Sequence, residues 1–484
     1  MIILYILLAL LGVVALLLLA ACINTLRIKN KTPLGSALPV NEELAMKYAK
    51  DLGRMLQCET VNDPGADPAK TSAEFAGMRR VLAELFPLSH QTLHTVEGLG
   101  DALLMRWQGK DPKRGAIVLM AHSDVVPATG EWKYPPFSGE VAEGCVWGRG
   151  AVDTKGSLCA IFEAVETLLA EGFTPPCDVY ISSSNNEETM GDGAPKALAW
   201  LQEQGVSIDV VSDEGGAILQ APLPGLTGSF AMLGIVEKGF ANLRFTAKST
   251  GGHASMPPKG SPIVRLAAFV NRVEKKSPFK KEISKPVRDM FRELAPYMRF
   301  GMRLVLGNIW LFGPLLKVVL PKVSAQAGAM LQTTCAFTMA SGSEAANVMP
   351  ETASVTANLR FIMHQPGAES IAVIKALAAE YGLETEVLYS HDCSPYVDIA
   401  SSKYQYMMDC VKKAFPDVGV APYIMLGGTD ARHFAHVCPC TVRFAPLKMN
   451  KQQLGSMHGL DENVDIDALA GGVGFYLTVL RDYV

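Results

Sequence analysis

Residues 1–23 carry no charged side chain and are dominated by Leu, Ile, Val and Ala. A helix of that length spans a hydrocarbon core of ~30 Å. Arg27, Lys29 and Lys31 follow at once, and residues 24–40 form a linker containing Pro, Gly and Ser. From Asn41 the apolar positions Leu44, Met46, Tyr48, Ala49, Leu52 and Met55 recur at helical spacing. A second helix is expected over 71–85. Short apolar runs then predict strands at 102–107, 116–120, 178–183 and 206–211, with helices at 157–171 and 194–203. Strands alternating with helices indicate an α/β fold whose mostly parallel sheet is covered on both faces.

Near Lys238 the pattern changes. A strand at 241–249 alternates in and out, a helix follows at 263–275, and strands are expected at 331–340 and 353–361. A helix at 370–381 and a strand at 385–389 complete the order β-α-β-β-α-β, which predicts a small two-layer, ferredoxin-like α+β domain. Within it, 286–323 is an apolar, proline-punctuated helical stretch containing Trp310, Leu311 and Phe312. Gly313-Pro314 and Pro321 interrupt it, so it is a poor membrane span. A lid helix, a partner surface and a membrane-facing patch all remain open for it. After about residue 395 the α/β character returns, with helices at 404–414 and 464–481. The chain therefore divides into an N-terminal helix (1–23), a linker (24–40), a large domain in two parts (41–238 and 396–484) and an inserted domain (239–395).

Composition supports this division. At 484 residues the chain exceeds the roughly 100–200 residues of one ordinary domain. It is 49% hydrophobic and 19% charged, which is globular and argues against disorder. With 44 Lys+Arg against 48 Asp+Glu the formal net charge is -4, and the pI is near 6.2, so nucleic acid is not an expected partner. Ten cysteines in so long a chain are not a disulfide scaffold. The mean hydropathy of +0.18 is high for a soluble enzyme, and it has two local sources, residues 1–23 and 286–323.

The apolar N-terminus lacks a basic leader and exceeds the usual ~7–15-residue core of a signal peptide. It reads as an uncleaved single-pass anchor in the cell membrane. Leu19-Ala20-Ala21-Cys22 also resembles a lipoprotein cleavage box, so cleavage and lipidation stay open. The basic flank lies C-terminal to the span, which favours the cytoplasmic side for the rest of the chain.

Several residues could carry chemistry. His122 ends an apolar strand, with Asp124 two residues on, placed to take the second ring nitrogen. Asp153 lies in Gly148-Arg149-Gly150-Ala151-Val152-Asp153-Thr154-Lys155-Gly156. Glu187 and Glu188 follow the strand at 178–183; adjacent carboxylates repel unless a cation or proton lies between them. Asp213 closes another strand, and His458 precedes the last helix. Taken singly, each has an ordinary structural explanation as a core histidine, a helix cap or a solvated loop. Together they lie at or just after strand ends, where ligands of open α/β sheets bind. A His/Asp/Glu set without thiolate suits zinc, cobalt or manganese. Five ligands with one shared carboxylate fit two metals about 3.5–4 Å apart.

In these motifs the sequence resembles the M20 metallopeptidases, closest to the carboxypeptidase S and N-acyl-amino-acid hydrolase branch. The resemblance rests on His122-Ser-Asp124-Val-Val-Pro127, the Asp153 segment, Glu187-Glu188, Ser212-Asp213-Glu214-Gly215-Gly216 and Gly251-Gly252-His253-Ala254-Ser255. It continues through Thr333-Thr334, Asn347-Val-Met-Pro350, Gly427-Gly428-Thr429-Asp430-Ala431-Arg432-His433 and His458-Gly459, in family order from about residue 41 to the C-terminus.

The resemblance implies a zinc-exopeptidase-like catalytic domain with a lid, and two divalent ions, zinc before cobalt or manganese. It implies that Asp153 bridges the ions, His122 and Asp213 complete one site, and Glu188 and His458 the other. Glu187 is then the general base, taking a proton from the bridging water and delivering it to the leaving amine. Asp124 orients His122. His253, in the lid, helps stabilise the oxyanion, and in dimeric members comes from the other subunit. Arg360 matches a lid arginine that grips a substrate carboxylate; Asn347, Thr429 and Arg432 are further substrate-contact candidates. Thr154, Asn185-Asn186 and 341–344 depart from the family's usual residues without removing a ligand or the base.

The expected function is hydrolysis of a peptide or N-acyl-amino-acid amide bond next to a free carboxylate, with a homodimer through the lid as a possible assembly. The alternative is a non-catalytic, membrane-anchored binding protein on a degenerate fold. A serine hydrolase is excluded by the lack of Gly-x-Ser-x-Gly.

Overall fold

The alternating segments assemble, in a computed structural model describing residues 1–484 except Pro33, Pro64, Ala66 and Val484, into a ten-stranded sheet with helices on its faces. Its centre is parallel. Val179–Ser183, Ala116–Met120, Ile208–Asp213 and Thr441–Arg443 lie side by side in that order. All five residues of Ala116–Met120 and of Val179–Ser183 are buried, as expected of strands covered on both faces. The edges are antiparallel, through Leu103–Trp107 on one side and Ile218–Gln220 with Ser229–Glu237 on the other. Val418–Met425 pairs parallel with Ser229–Glu237.

Helices close the faces. Asn41 caps Glu42–Leu56 by accepting from the N–H groups of Glu43 and Leu44. That helix buries Ala45, Tyr48, Ala49, Leu52 and Met55, whereas Leu44 and Met46, apolar at the expected spacing, remain exposed. Lys155–Ala170 is buried along its first eleven residues, between Glu42–Leu56 and the last helix, Ile466–Arg481. The strand expected at 206–211 runs over Ile208–Asp213, two residues further on, which brings Asp213 into its last position.

The inserted domain is a four-stranded antiparallel sheet in the order Thr334–Ser341, Thr352–Phe361, Gly239–Lys248, Glu384–His391. Helices Pro262–Lys275 and Gly367–Glu380 cover one face, around Phe245, Phe269, Leu359 and Ile374. Order and connectivity are ferredoxin-like. The helical insertion does not join this core. Helix Lys285–Leu294 packs on Val418–Met425, and Val287, Met290, Phe291 and Leu294 belong to the large domain's core. Phe300–Leu306 and Ile309–Val323 follow, bent by 96° at Gly307-Asn308.

The N-terminal helix, Ile2–Arg27, is exposed along most of its length. Among the described residues it is the one unbroken helix long and apolar enough to cross a membrane.

Candidate active site and metal centre

Parallel strands end on one edge of the sheet, and that edge collects the acidic and imidazole groups. The turn after Ala116–Met120 carries His122 and Asp124, and the turn after Val179–Ser183 carries Glu187 and Glu188. Ile208–Asp213 delivers Asp213 and Glu214, and Val418–Met425 leads into 427–432. Asp153 immediately precedes helix Lys155–Ala170, and His458 comes from the loop before the last helix.

Asp153 sits between the two histidines. Its Oδ1 lies 3.0 Å from His122 Nε2, and its Oδ2 lies 3.0 Å from His458 Nε2. Glu188 Oε2 is 3.2 Å from His458 Nε2, and Glu214 Oε1 is 3.4 Å from His122 Nε2. His122 Nδ1 is spent on the Asp124 backbone carbonyl at 2.9 Å, with the Asp124 carboxylate at 3.3 Å. A neutral His122 therefore carries its proton on Nδ1 and offers Nε2 as a lone pair towards two carboxylates. With Nε2 unprotonated, acceptors converge there, an arrangement that either a proton or a metal cation resolves.

The Asp124 carboxylate also braces the neighbouring turn, where its two oxygens accept from the N–H groups of Glu187 and Glu188, at 3.2 and 3.1 Å. Glu188 Oε1 is buried without a hydrogen-bond partner, again a group lacking a cation. The cluster also distorts proton affinities. Burial opposes a charge on His122, but Glu214, Asp124 and Asp153 outweigh it and hold the imidazole well above its ordinary value. Hydrogen bonds to Asp153 and Glu188 push His458 up to about 10. Burial raises Glu187 well above the usual carboxylate range; Asp430 and Glu188 add to this, while His122 and Arg432 oppose it.

Among the described residues Asp213 forms no ion pair with either histidine, although His122 lies near enough to act on its charge. Both its oxygens are engaged by backbone, accepting from Glu214 N–H at 2.9 Å and Ala431 N–H at 2.8 Å. The neighbouring Glu214, inconspicuous in the sequence except as half of an Asp-Glu pair, faces His122. Glu462 carries no signal in the sequence at all. Its carboxylate is fully buried, pairs with Arg149 at 2.7 Å, and accepts from the N–H groups of Gly150, Val152 and Asp153 at 3.0, 2.9 and 3.0 Å. It pins the loop that presents Asp153 across more than 300 residues of sequence, a distance no local periodicity reveals.

The residues expected at the substrate are divided. Arg432 lies 3.7 Å from Glu187 Oε1. Arg360 stacks over Phe240, 4.7 Å from the ring centroid, and its pKa is lowered by burial and by the charge of Arg432. Thr429 is buried with its hydroxyl donating to Glu237 at 2.8 Å and its N–H at 3.0 Å, so it holds the 427–432 turn in place. Glu237 itself pairs with buried Arg443 at 2.6 Å. His253 and Asn347 come together on the lid, where Gly252–His253 pairs with Val348–Met349 and Ala254 N–H donates to the Asn347 carbonyl. Both are exposed, and the hydrogen bonds of His253 go to Ser255.

A bridging carboxylate between two histidines, flanked by two further carboxylates, matches the order of motifs along the chain. The model of peptidase family M20/M25/M40 matches residues 118–482. The chain belongs to this family. It is 33% identical to the N-fatty-acyl-amino acid synthase/hydrolase PM20D1 of Xenopus tropicalis over 449 residues, 91% of this chain and 87% of that one. It is 28% identical to carboxypeptidase S of Saccharomyces cerevisiae over 475 residues, covering 87% and 81%. The fold matches a crystal structure of an M20 family metallo-carboxypeptidase, Sso-CP2, from Sulfolobus solfataricus, with a TM-score of 0.65, 17% identity and coverage of 90% and 98%.

The M20 protein described here is a metal-dependent hydrolase with its acidic cluster and candidate base present. The reading as a non-catalytic binding protein is not favoured.

Proposed function

We propose that this enzyme hydrolyses the amide bond of an N-acyl amino acid or a small peptide next to a free carboxylate. It does so with two divalent ions, zinc in the first instance. The carrying observation is the pair of acceptor clusters sharing Asp153: His122, Asp153 and Glu214 on one side, and Asp153, Glu188 and His458 on the other. In this reading Glu214 takes the ligand role expected of Asp213. Bound there, the ions supply Lewis-acid polarisation of the scissile carbonyl and acidify water.

The remaining work belongs to the chain. Glu187 takes the proton of the attacking water and returns it to the leaving nitrogen; its raised proton affinity suits both halves of that transfer. Among the described residues Arg360 and Arg432 have no bidentate carboxylate partner, and they repel one another, which supports a substrate carboxylate between them. The names of the relatives, an N-fatty-acyl-amino acid synthase/hydrolase and a carboxypeptidase, support substrates of this class.

We further infer that Ile2–Arg27 is retained as a membrane anchor with the enzyme on the cytoplasmic side, as Arg27, Lys29 and Lys31 favour. Retention is supported by the hydrogen bond that Asn308 makes to the Ala21 carbonyl, which cleavage before Cys22 would remove. The exposed His253 ribbon supports a homodimer through the lid.

The deciding experiment uses a panel of dipeptides and N-acyl amino acids, each as free acid and as carboxamide. Turnover of the acids, its loss with chelator and its recovery with zinc are expected, with the carboxamides at least tenfold slower. Equal turnover of acid and amide would remove the carboxylate from the reading.

A further inference from the structure

The helical insertion carries features that the active site does not use. Its bend is tied to the membrane-exit end of the N-terminal helix. Asn308 is fully buried, and its Nδ2 donates to Thr25 Oγ1 at 2.9 Å, to the Ala21 carbonyl at 3.2 Å and to Leu304 at 2.8 Å. Asn24 Nδ2 returns a bond to Asn308 Oδ1 at 2.9 Å. Buried amide bonds of this kind fix one geometry between two elements.

Beyond that joint the insertion is apolar where it faces outward. Phe300 is 49% exposed, Trp310 57%, Leu315 56%, Val318 57% and Val323 56%, whereas Leu306, Gly313 and Leu316 point inward and are buried. A soluble surface does not hold so many large apolar side chains together without a partner. The junction with the N-terminal helix borders an open groove of about 640 Å³ lined by Lys31, Lys285, Arg288 and Arg292 together with Asp289 and Glu293. Lys31, Lys285 and Arg292 pair with these two acids, and the net positive charge that remains suits a surface meeting anionic headgroups.

We propose that Phe300–Leu306 and Ile309–Val323 form a second membrane element: a bent helical pair seated in the interfacial layer of the bilayer beside the anchor. The proposal rests on the reading of Ile2–Arg27 as a retained anchor. The occupant of the apolar face is lipid, because that face is continuous with the base of a membrane-length helix. Ile309–Val323 has 15 residues, about 22 Å of helix. That is too short for a ~30 Å core, so it lies in the interface and does not cross. The 96° bend gives it a direction different from that of Phe300–Leu306. The seat also reaches the active site. Helix Lys285–Leu294, at the root of the insertion, packs on Val418–Met425, and Gln326 donates to the Tyr423 hydroxyl at 3.1 Å. That strand leads into the turn carrying Thr429 and Arg432.

The test reconstitutes the full chain in phosphatidylcholine/phosphatidylglycerol vesicles containing acyl-brominated lipid. Trp107, Trp132, Trp147 and Trp200 provide a common background, so the difference between wild type and Trp310→Phe isolates Trp310. Bromine quenching present in wild type, absent in Trp310→Phe and restored by adding Val318→Trp to that variant is the expected result. Equal fractional quenching in all three, with the protein retained on the vesicles through carbonate, overturns the seat and leaves the anchor standing. Release of the protein by carbonate overturns the anchor and the seat with it.

Discussion

Glu187 and Glu188 show how far residue identity alone determines chemistry. They are adjacent and both acidic, yet one leans on His458 and the other lies near Arg432. Asp124 holds both backbone N–H groups and so fixes the divergence. Glu187→Gln keeps shape and removes the proton acceptor, so kcat should fall by ~10²–10⁴ while metal content, read by mass spectrometry, stays at the wild-type ratio; retained turnover would remove the base from this mechanism. Asp213 and Glu214 offer a sharper contrast. Glu214→Gln should lower metal occupancy with little change in melting temperature. Asp213→Asn should do the reverse, because it presents a donor to a backbone N–H at a cost of ~1–3 kcal/mol. An opposite ordering would return the ligand role to Asp213. The structure brings together His122, Asp153, Glu188 and His458, which the sequence motifs single out, because strand ends in a parallel sheet share one end of the sheet. The motifs name Asp213 and Glu214 side by side, and which of the two faces an ion depends on the direction in which each side chain leaves the strand end.

At the level of elements, strands and helices with clear periodicity were legible within a few residues. The long strands Ser229–Glu237 and Val418–Met425 were not, because both lack alternation and are interrupted by Gly234 and by Gly419 and Pro422. The insertion was legible as apolar and helical but not as part of the large domain, since its packing against Val418–Met425 is a contact across more than 120 residues. The passage from large domain to lid runs through Lys238, which is 2% exposed and whose Nζ donates to the carbonyls of Ala329 and Gln332, both at 2.9 Å. It thereby ties the outgoing strand to the returning chain. Burial, aided by Arg360 and opposed by Cys393, lowers its pKa to about 7 from an ordinary 10.5. Between those values the unfolded chain holds a proton that the folded chain has released, so stability contributed at this site rises with pH across the window. Below about pH 7 both states are protonated and the full penalty applies. Denaturant midpoints at pH 7 and pH 9.5 should therefore show wild type gaining stability relative to Lys238→Met as pH rises. A constant gap would mean that Lys238 keeps its proton in the fold.

Across the whole molecule, one residue expected at the site, His253, lies on the lid. In the proposed reading the site's carboxylates and imidazoles hold cations and move protons, while the lid histidine expected to meet the oxyanion stands on an exposed ribbon with Ser255 as its hydrogen-bond partner. Near it, Met256 is 78% exposed and Val348 48%, apolar positions that a second lid could cover. If a second copy supplies His253, two defects on different chains must complement. Take His253→Ala and Glu187→Gln, each inactive as a pure dimer. In a co-expressed mixture half of the pairs are mixed, and each mixed pair holds one site with both groups intact, so about one quarter of wild-type activity should return. Arrangement within a single chain predicts no recovery at any mixing ratio, because no chain then carries both groups. Sedimentation velocity on the same samples separates the cases: a dimer without recovery places His253 in its own subunit's site, and a monomer removes the partner altogether.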